Sequence, residues 1–219
     1  MENKQTPSSM HILVIGANGG IGRNTVTTAL EAGYQITALV RDPAKLMLTH
    51  PHLQIIKGDV HRPDTFEKYL EGIDAVISAL GEKMNEPTTL YSEGNRNLLI
   101  AMNKMGVKRV FFISAAAIEI SPAQPFIVRL VTKYIVQKLF GYGYADQQIM
   151  ERLVKESNTN WTIMRPPRLT DKPATGHYRF AINSFLKNCL SISRADVAHF
   201  MINNITNEAT YKAIIELAY

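Results

Sequence analysis

Cysteine, long hydrophobic runs and clustered charges are scarce in this chain of 219 residues. Its one cysteine, Cys189, excludes an internal disulfide, and a lone thiol lacks the spacing of a metal site. The longest apolar run, Val110–Ile118, is interrupted by Ser114 and is too short to cross a bilayer. The polar segment Met1–Ser9 has no apolar core, so it does not resemble a secretory signal. We therefore expect a cytoplasmic protein with a mobile leader over residues 1–9 and one domain over residues 10–219.

The chain has a positive net charge, but its charged residues are scattered along the sequence. The 24 lysines and arginines exceed the 19 acidic residues and give a net charge of +5, without a run of five or six like charges. Basic proteins attract nucleic acids, but scattered charges are typical of a solvated surface and suit an anionic small ligand equally well. The six histidines show no short metal-binding spacing. We expect neither a nucleic-acid partner nor a metal site.

Short β-branched runs alternate with longer segments of helical period along the whole chain. The predicted strands are His11–Gly16, Gln35–Val40, Leu53–Lys57, Asp74–Ala79, Arg109–Ser114, Trp161–Met164 and Ala213–Leu217. The predicted helices are Ile21–Ala32, Pro43–Leu48, Pro63–Glu71, Thr88–Lys104, Phe126–Phe140, Ala145–Ser157 and Arg194–Ile205. The strands are almost continuously apolar, as in sheets covered on both faces. The pattern predicts a single doubly wound α/β Rossmann domain, with a mostly parallel sheet and helices on both faces.

A glycine-rich turn joins the first predicted strand to the first helix. The segment reads Gly16-Ala17-Asn18-Gly19-Gly20-Ile21-Gly22. Residues without Cβ allow the backbone to reverse sharply and approach a diphosphate, and the helix offers free N–H groups to it. We therefore predict dinucleotide binding by Gly16, Asn18, Gly19, Gly20, Ile21 and Gly22. The alternative is a tight turn without a ligand.

The end of the second strand indicates which dinucleotide is bound. An acidic residue there would bind the ribose of NAD, whereas the chain has Arg41 followed by Asp42. A guanidinium matches a 2′-phosphate, and Arg23 adds a second positive charge. This favours NADP over NAD. In the alternative interpretation Arg41 is only an exposed charge and Asp42 contacts the ribose.

Taken together, these motifs resemble the atypical short-chain dehydrogenase/reductase superfamily. The similar branch is the small NAD(P)H-binding one that includes NmrA-like and biliverdin- or flavin-reductase-like proteins. The segments that carry the resemblance are Gly16–Gly22, Ala38–Asp42, Gly58–Val60, Ser78–Gly81, Phe112–Ala115, Trp161–Pro167 and Ser193–Ala198. The ordered set is more specific than the glycine turn alone.

The resemblance implies further cofactor contacts. It places Asp59 and Val60 beside the adenine, Ala79, Leu80 and Gly81 near the ribose, and Pro166 with Pro167 against the nicotinamide. Each of these groups also has a purely structural interpretation. Asp59 can cap a turn, the second group can form a plain bend, and prolines can simply end a strand.

The resemblance also implies a Ser–Tyr–Lys set, of which only the serine is in place. Ser114 fits that position, although it can equally cap the next turn. Counting back from Glu151 puts Gln147 where the family has lysine and Gly143 where it has tyrosine. The spaced pair Tyr134 and Lys138 lies one helix too early. Tyr142 and Tyr144 flank the vacant position, and we take Tyr144 with Ser114 as the catalytic candidates. Asp146 is either a helix cap or a polar group of the pocket.

This departure limits the chemistry to be expected. An isolated carbonyl would lack its proton donor, whereas a flavin or another conjugated acceptor can take protons from solvent. We expect an NADPH-dependent oxidoreductase acting on a small flavin-like, quinone or conjugated acceptor, as a monomer or homodimer. The alternative is an NAD(P)-binding redox-sensing regulatory protein without turnover.

The predicted helix Phe126–Phe140 is unusually apolar but carries Arg129, Lys133 and Gln137 at intervals of four residues. Such a segment can be core, a subunit contact, a lid over the pocket or a helix that lies on a membrane. Stable membrane insertion is not expected.

Overall fold

The computed structural model describes residues 10–82 and 85–219, and the leader predicted at residues 1–9 lies outside them. The strands are β1 (His11–Ile15), β2 (Gln35–Val40), β3 (Leu53–Lys57), β4 (Ala75–Ser78), β5 (Arg109–Ile113), β6 (Asn160–Arg165), β7 (Arg168–Thr170), β8 (Arg179–Ile182), β9 (Ser191–Ser193) and β10 (Ala213–Ala218). The helices are α1 (Gly20–Glu31), α2 (Leu90–Met105), α3 (Phe126–Val131), α4 (Gln137–Leu139), α5 (Gly141–Glu156) and α6 (Arg194–Asn203). A π-helical turn, Thr132–Val136, joins α3 to α4.

Eight strands form one sheet in the order β3-β2-β1-β4-β5-β6-β10-β8, and β7 pairs with β9 separately. All neighbours in the large sheet are parallel except β8, which pairs antiparallel with β10 at the edge. The chain therefore has the doubly wound α/β fold that the sequence predicts. Its strand order reverses between β1 and β4, which is where ligands bind in such sheets.

Both faces of the sheet are covered, as the continuous apolar strands predict. In β1, Ile12 and Val14 pack on one side, and Leu13 and Ile15 pack on the other. The first core cluster includes side chains of α1 and α6, and the second includes side chains of α2 and α5. Alternate residues of a strand point to opposite faces, so a strand buried on both sides is apolar at most of its positions.

Several predicted elements differ from the structure. The predicted helices Pro43–Leu48 and Pro63–Glu71 are only short 3₁₀ turns, because segments this short gain little from helix propagation. The helix α5 begins at Gly141 rather than at Ala145. The strands β7, β8 and β9 were not predicted, since three or four residues of mixed polarity carry no strand periodicity.

Arg109, at the start of β5, is buried and hydrogen-bonds to the segment that precedes β10. Arg109 stacks between the rings of Phe111 and Tyr211, with its guanidinium carbon 4.0 and 4.5 Å from the ring centroids. Its nitrogens donate to the backbone oxygen of Ile205 at 2.7 Å and to Thr210 Oγ1 at 2.9 Å. Burial lowers the pKa of Arg109 to about 10, so the group remains cationic at neutral pH.

We expect Arg109→Ala to lower the free energy of unfolding by about 3 kcal/mol, because buried oxygens lose their donors. Urea unfolding measures the change. The matched control is Arg152→Ala, which removes an exposed arginine and should change stability by less than about 0.5 kcal/mol. Equal effects of the two substitutions would contradict a structural role for the buried guanidinium.

Candidate functional site

The glycine turn approaches neighbouring backbone too closely for side chains. Gly16 has a φ of +76°, and a Cβ built on it would lie 2.4 Å from the Ala79 carbonyl oxygen. A Cβ on Gly22 would lie 2.2 Å from the Gly16 carbonyl oxygen. The helix α1 follows with Gly19 at its N-cap, no capping side chain and no acidic residue in its first turn. The free N–H groups of that turn form a site suited to a diphosphate.

Gly20 leaves room for an arginine that had no role in the sequence interpretation. A Cβ on Gly20 would lie 2.4 Å from Cδ of Arg194, so the arginine side chain crosses the start of α1. Arg194 Nη1 lies 2.6 Å from Asp171 Oδ1. Arg194 belongs to one of the family-like segments, but nothing in its sequence context indicates contact with residues 174 positions earlier. The Arg194 side chain therefore brings a positive charge beside the candidate diphosphate site.

A cleft of about 320 Å³ opens at the carboxyl ends of β1 to β4. Its lining includes most of the predicted cofactor residues, namely Gly16, Asn18, Gly19, Arg41, Asp59, Val60, Ala79, Leu80 and Gly81. Asn18 donates from Nδ2 to the Asp42 backbone oxygen at 2.9 Å, and its buried Oδ1 has no hydrogen-bond partner. That oxygen is available to accept a hydrogen bond from a ligand. Gly20, Ile21 and Gly22 do not line the cleft, and Ile21 belongs to the first core cluster.

Two cations, Arg41 and Lys45, and two carboxylates, Asp42 and Asp59, line the end of the cleft near β2, and Lys45 Nζ lies 3.7 Å from Asp42 Oδ2. Arg41 is exposed there beside Lys45, and both line the cleft. The Asp42 carboxylate accepts from the Ala44 backbone N–H at 3.2 Å, so it caps a local turn. Asp59 Oδ1 accepts from the backbone N–H of His61 at 2.9 Å. Arg23 donates to the Lys45 backbone oxygen at 2.6 Å and so adds charge to the same end.

A second cavity, of about 520 Å³, lies at the ends of β5 and β6. Residues 115–117 and the pair Pro166 and Pro167 form its floor, and the segment from α3 to Phe140 forms much of its wall. Pro166 therefore lies on this cavity and not on the cleft that holds the other predicted cofactor residues. The strands β4 and β5 are neighbours, so the cavity and the cleft lie along the same edge of the sheet, although they share no lining residue.

Ser114 is bound to a buried ion pair. Its Oγ donates to Glu151 Oε1 at 2.7 Å, and Arg165 donates to both Glu151 oxygens at 2.9 and 2.7 Å. Burial raises the pKa of Glu151, but hydrogen bonds from Arg165 and Ser114 outweigh it and leave that pKa below its ordinary value. The Ser114 proton is therefore engaged, and the buried Ser114 side chain lines neither the cleft nor the second cavity. Its catalytic role stays a prediction.

Comparisons with known proteins agree with this arrangement. A model of a family described as NAD(P)H-binding matches residues 16–208. The chain belongs to this family. The NAD(P)H-binding family that the sequence resembles is thereby confirmed, and the neighbours in fold include short-chain dehydrogenases/reductases.

Two relatives share parts of the NAD(P)H-binding chain. An uncharacterized chloroplastic protein of Arabidopsis thaliana is 28% identical over 99% of this chain and 79% of its own length. The photosystem II assembly factor Ycf39 of Cyanophora paradoxa is 31% identical over 71% of this chain. The chain spans 44% of the length of that Ycf39 protein.

Three solved structures share the fold. The oxidoreductase ylbE from Lactococcus lactis has a TM-score of 0.77 at 22% identity, with 95% of this chain and 90% of that chain covered. A short-chain dehydrogenase/reductase from Veillonella parvula in complex with NADP has a TM-score of 0.77 at 20% identity, with 97% and 95% covered. The anaerobillin reductase ChuY from Escherichia coli O157:H7 has a TM-score of 0.77 at 20% identity, with 95% of this chain and 96% of that chain covered.

The positions at which the family has tyrosine and lysine are held here by residues that pack inside the fold. Gly143 and Gln147 are buried in α5, and Gln147 Oε1 has no hydrogen-bond partner. Asp146 accepts from the backbone N–H of Tyr91 at 2.8 Å and from Ser92, so it caps α2 and not its own helix. The cap alternative for Asp146 is thus the correct one, but its target lies more than fifty residues away.

The tyrosines near that position differ in exposure. Tyr144 is half-buried and lines the second cavity, where burial and nearby Tyr91 raise its pKa. Its hydroxyl therefore stays protonated at neutral pH. Tyr142 is 59% exposed, and Tyr134, of the misplaced Tyr–Lys pair, is 61% exposed. Of these three tyrosines, only Tyr144 lines the cavity.

We expect Glu151→Gln to lower the free energy of unfolding by about 2 kcal/mol near neutral pH, because Arg165 loses its buried counter-charge and keeps only the exposed Glu119 carboxylate. The folded-state pKa of Glu151 is depressed, so its ionised form stabilises the fold above the unfolded value of 4.5. The difference from wild type should shrink as the pH falls below that value. Urea unfolding between neutral and acidic pH measures it.

The control for this prediction is Lys155→Gln. Lys155 Nζ lies 3.3 Å from Glu151 Oε2 and its side chain is 42% exposed, so its loss should change stability by less than about 1 kcal/mol. A pH-independent effect of Glu151→Gln would show that the carboxylate charge is not what stabilises the fold.

Proposed function

We propose that this protein is an NADPH-dependent oxidoreductase that acts on a small flavin-like, quinone or conjugated acceptor. The observation that carries the proposal is the apolar cavity of about 520 Å³ that lies along the same edge of the sheet as the candidate nucleotide cleft. It is large enough for a planar acceptor and sits where a reduced nicotinamide bound in the cleft would end. The solved structure of ChuY, named an anaerobillin reductase, shares this fold.

The charges of the cleft support NADP as the cofactor. Arg41 would hold the 2′-phosphate, whereas Lys45 is paired with the Asp42 carboxylate, which also caps a local turn. The turn from Gly16 to Gly22 and the start of α1 would hold the diphosphate, with Arg194 as a further cation. The Asn18 Oδ1 atom would accept from a ribose hydroxyl. The Veillonella parvula neighbour holds NADP in the same fold.

The residues around the cavity would orient the acceptor and leave the chemistry to the cofactor. When bound, the reduced nicotinamide supplies a hydride to the acceptor. Pro166 and Pro167 provide a flat, rigid wall without N–H donors. Reduction by two electrons also needs one proton, which comes from solvent or from the protonated Tyr144 hydroxyl. Conjugated acceptors tolerate this because they delocalise the charge that the hydride brings.

A second function is favoured by the occupants of the Tyr–Lys positions. Gly143 and Gln147 cannot donate or hold a proton as the family pair does, so the protein can be a redox-sensing regulator that binds NADPH without turnover. The relative Ycf39 is named an assembly factor. That role suggests partner binding for this chain too. A cytoplasmic location and a monomeric or homodimeric state remain predictions.

The two functions are separated by stopped-flow measurement of NADPH oxidation with free flavin, a quinone or biliverdin. The reductase proposal expects turnover with at least one acceptor, and Tyr144→Phe should slow it about ten- to a hundredfold if the hydroxyl donates the proton. Tyr142→Phe is the matched control and should leave the rate unchanged, since Tyr142 is 59% exposed. NADPH binding without oxidation of any acceptor would instead favour the sensing function.

The choice of cofactor is tested at Arg41. We expect Arg41→Ser to weaken NADPH binding about ten- to a hundredfold and to leave NADH binding unchanged, because one charge-assisted contact to the 2′-phosphate is lost. Calorimetry measures both affinities. Arg62→Ser removes an arginine that is also exposed but does not line the cleft, and should change neither. Equal losses for the two dinucleotides would rule out a contact between Arg41 and the 2′-phosphate.

A further inference from the structure

The segment from α3 to the start of α5 is an apolar stretch of helix with no fully buried residue before Phe140. None of the residues of α3, the π-helical turn or α4 is buried. The described residues contain fourteen exposed large hydrophobic side chains, and eight of them fall in this one segment. They are Phe126, Ile127, Leu130, Val131, Tyr134, Ile135, Leu139 and Tyr142. We name as the outer face the six of them that do not line the second cavity, namely Phe126, Leu130, Tyr134, Ile135, Leu139 and Tyr142. Exposed apolar patches of this kind mark interaction surfaces.

The inner side of the same segment is already accounted for. Val128, Thr132, Val136 and Phe140 recur every four residues, are half-buried and line the second cavity. Gln137 donates from Nε2 to the Ala117 backbone oxygen at 2.8 Å and so fixes the segment to the loop after β5. The segment therefore covers the cavity with one side, and its outer face has no partner among the described residues.

The charges of the segment identify the kind of surface that the outer face fits. No acidic residue occurs between Glu119 and Asp146. The cations Arg129, Lys133 and Lys138 are interspersed among the apolar residues, and all three are exposed. Apolar side chains with interleaved cations on one helical segment suit the boundary between anionic headgroups and acyl chains. The part of the chain that the structure describes contains no helix long and apolar enough to span a membrane.

A second copy of the chain fits the outer face less well. A twofold dimer uses the same patch on both subunits, so the three cations of one copy would face those of the other. No acidic residue of the segment is available to neutralise them. Like charges placed opposite one another oppose such a contact.

We propose that the outer face binds the surface of an anionic lipid bilayer, with the apolar side chains at the level of the headgroups. The segment would lie in the plane of the membrane without crossing it. The second cavity lies directly beneath the segment, so an acceptor dissolved in the lipid would have a short path to it. The membrane contact itself does not depend on the proposed reductase activity, and its test uses binding alone.

The full chain is tested by co-sedimentation with vesicles of phosphatidylcholine alone or mixed in equal parts with phosphatidylglycerol. We expect binding at least about tenfold stronger to the anionic vesicles, and weaker binding as salt is added. Lys133→Gln with Lys138→Gln should lower the partition about twentyfold, since each cation contributes about fivefold. Phe126→Gln, Ile135→Gln and Leu139→Gln together should abolish binding, and these exposed positions leave the core intact.

Two control variants carry the same chemical changes elsewhere on the surface. Lys68→Gln with Lys108→Gln removes two exposed cations, and Met47→Gln with Ile100→Gln removes two exposed apolar side chains. Both controls should bind anionic vesicles like wild type. Circular dichroism checks that every variant is folded.

Three outcomes would overturn the proposal. The first is no binding to anionic vesicles, which would leave the outer face to a protein partner. The second is binding that the controls reduce as much as the outer-face variants do. The third is a wild-type dimer, seen by sedimentation velocity, that the triple glutamine variant converts to monomers while vesicle binding is absent or unchanged.

Discussion

The close contact between the glycine turn and the end of β4 is the constraint on which the candidate site depends. Because β1 and β4 are neighbours in the sheet, the backbone of Gly16 passes the Ala79 carbonyl at a distance that leaves no room for a Cβ. The strand order reverses between β1 and β4, and the cleft opens at the carboxyl ends of these strands. Strand pairing, turn geometry and ligand cleft are thus one arrangement, held by backbone atoms rather than by particular side chains.

Beyond the cleft, the buried Glu151–Arg165 pair determines what the site can do. It engages the Ser114 hydroxyl, and the helix that carries Glu151 has Gly143 and Gln147 in place of a proton-donating pair. A site built in this way offers orientation and an apolar wall but little acid catalysis. That combination is why we infer acceptors that delocalise charge, and why a sensing role is the natural alternative.

The segment that covers the second cavity has no fully buried residue in α3, the π-helical turn or α4. Part of it lines the cavity, but many of its apolar side chains remain exposed. Apolar helices that gain so little from their own domain are usually stabilised by something else. The absence of acidic residues there makes an anionic surface the occupant that best agrees with the electrostatics.

The sequence by itself determined the sheet, the glycine turn and most of the cleft lining, because these depend on local patterns. Continuous apolar strands and a turn between strand and helix are readable within a few residues of each other, and the rest of the cleft follows from where parallel strands end. The role of each lining residue stays a prediction. Short elements such as β7 to β9 carried too few residues for any pattern to appear.

Only the tertiary structure decided which side chains meet across long separations. Asp146 caps α2, Arg194 crosses Gly20, Arg109 stacks on Tyr211, and Pro166 lies on the second cavity. These partners are distant along the chain, and each polar group takes whichever buried donor or acceptor the packed helices and strands bring to it. Local sequence specifies that a buried carboxylate needs partners. The packing of the domain specifies which ones it finds.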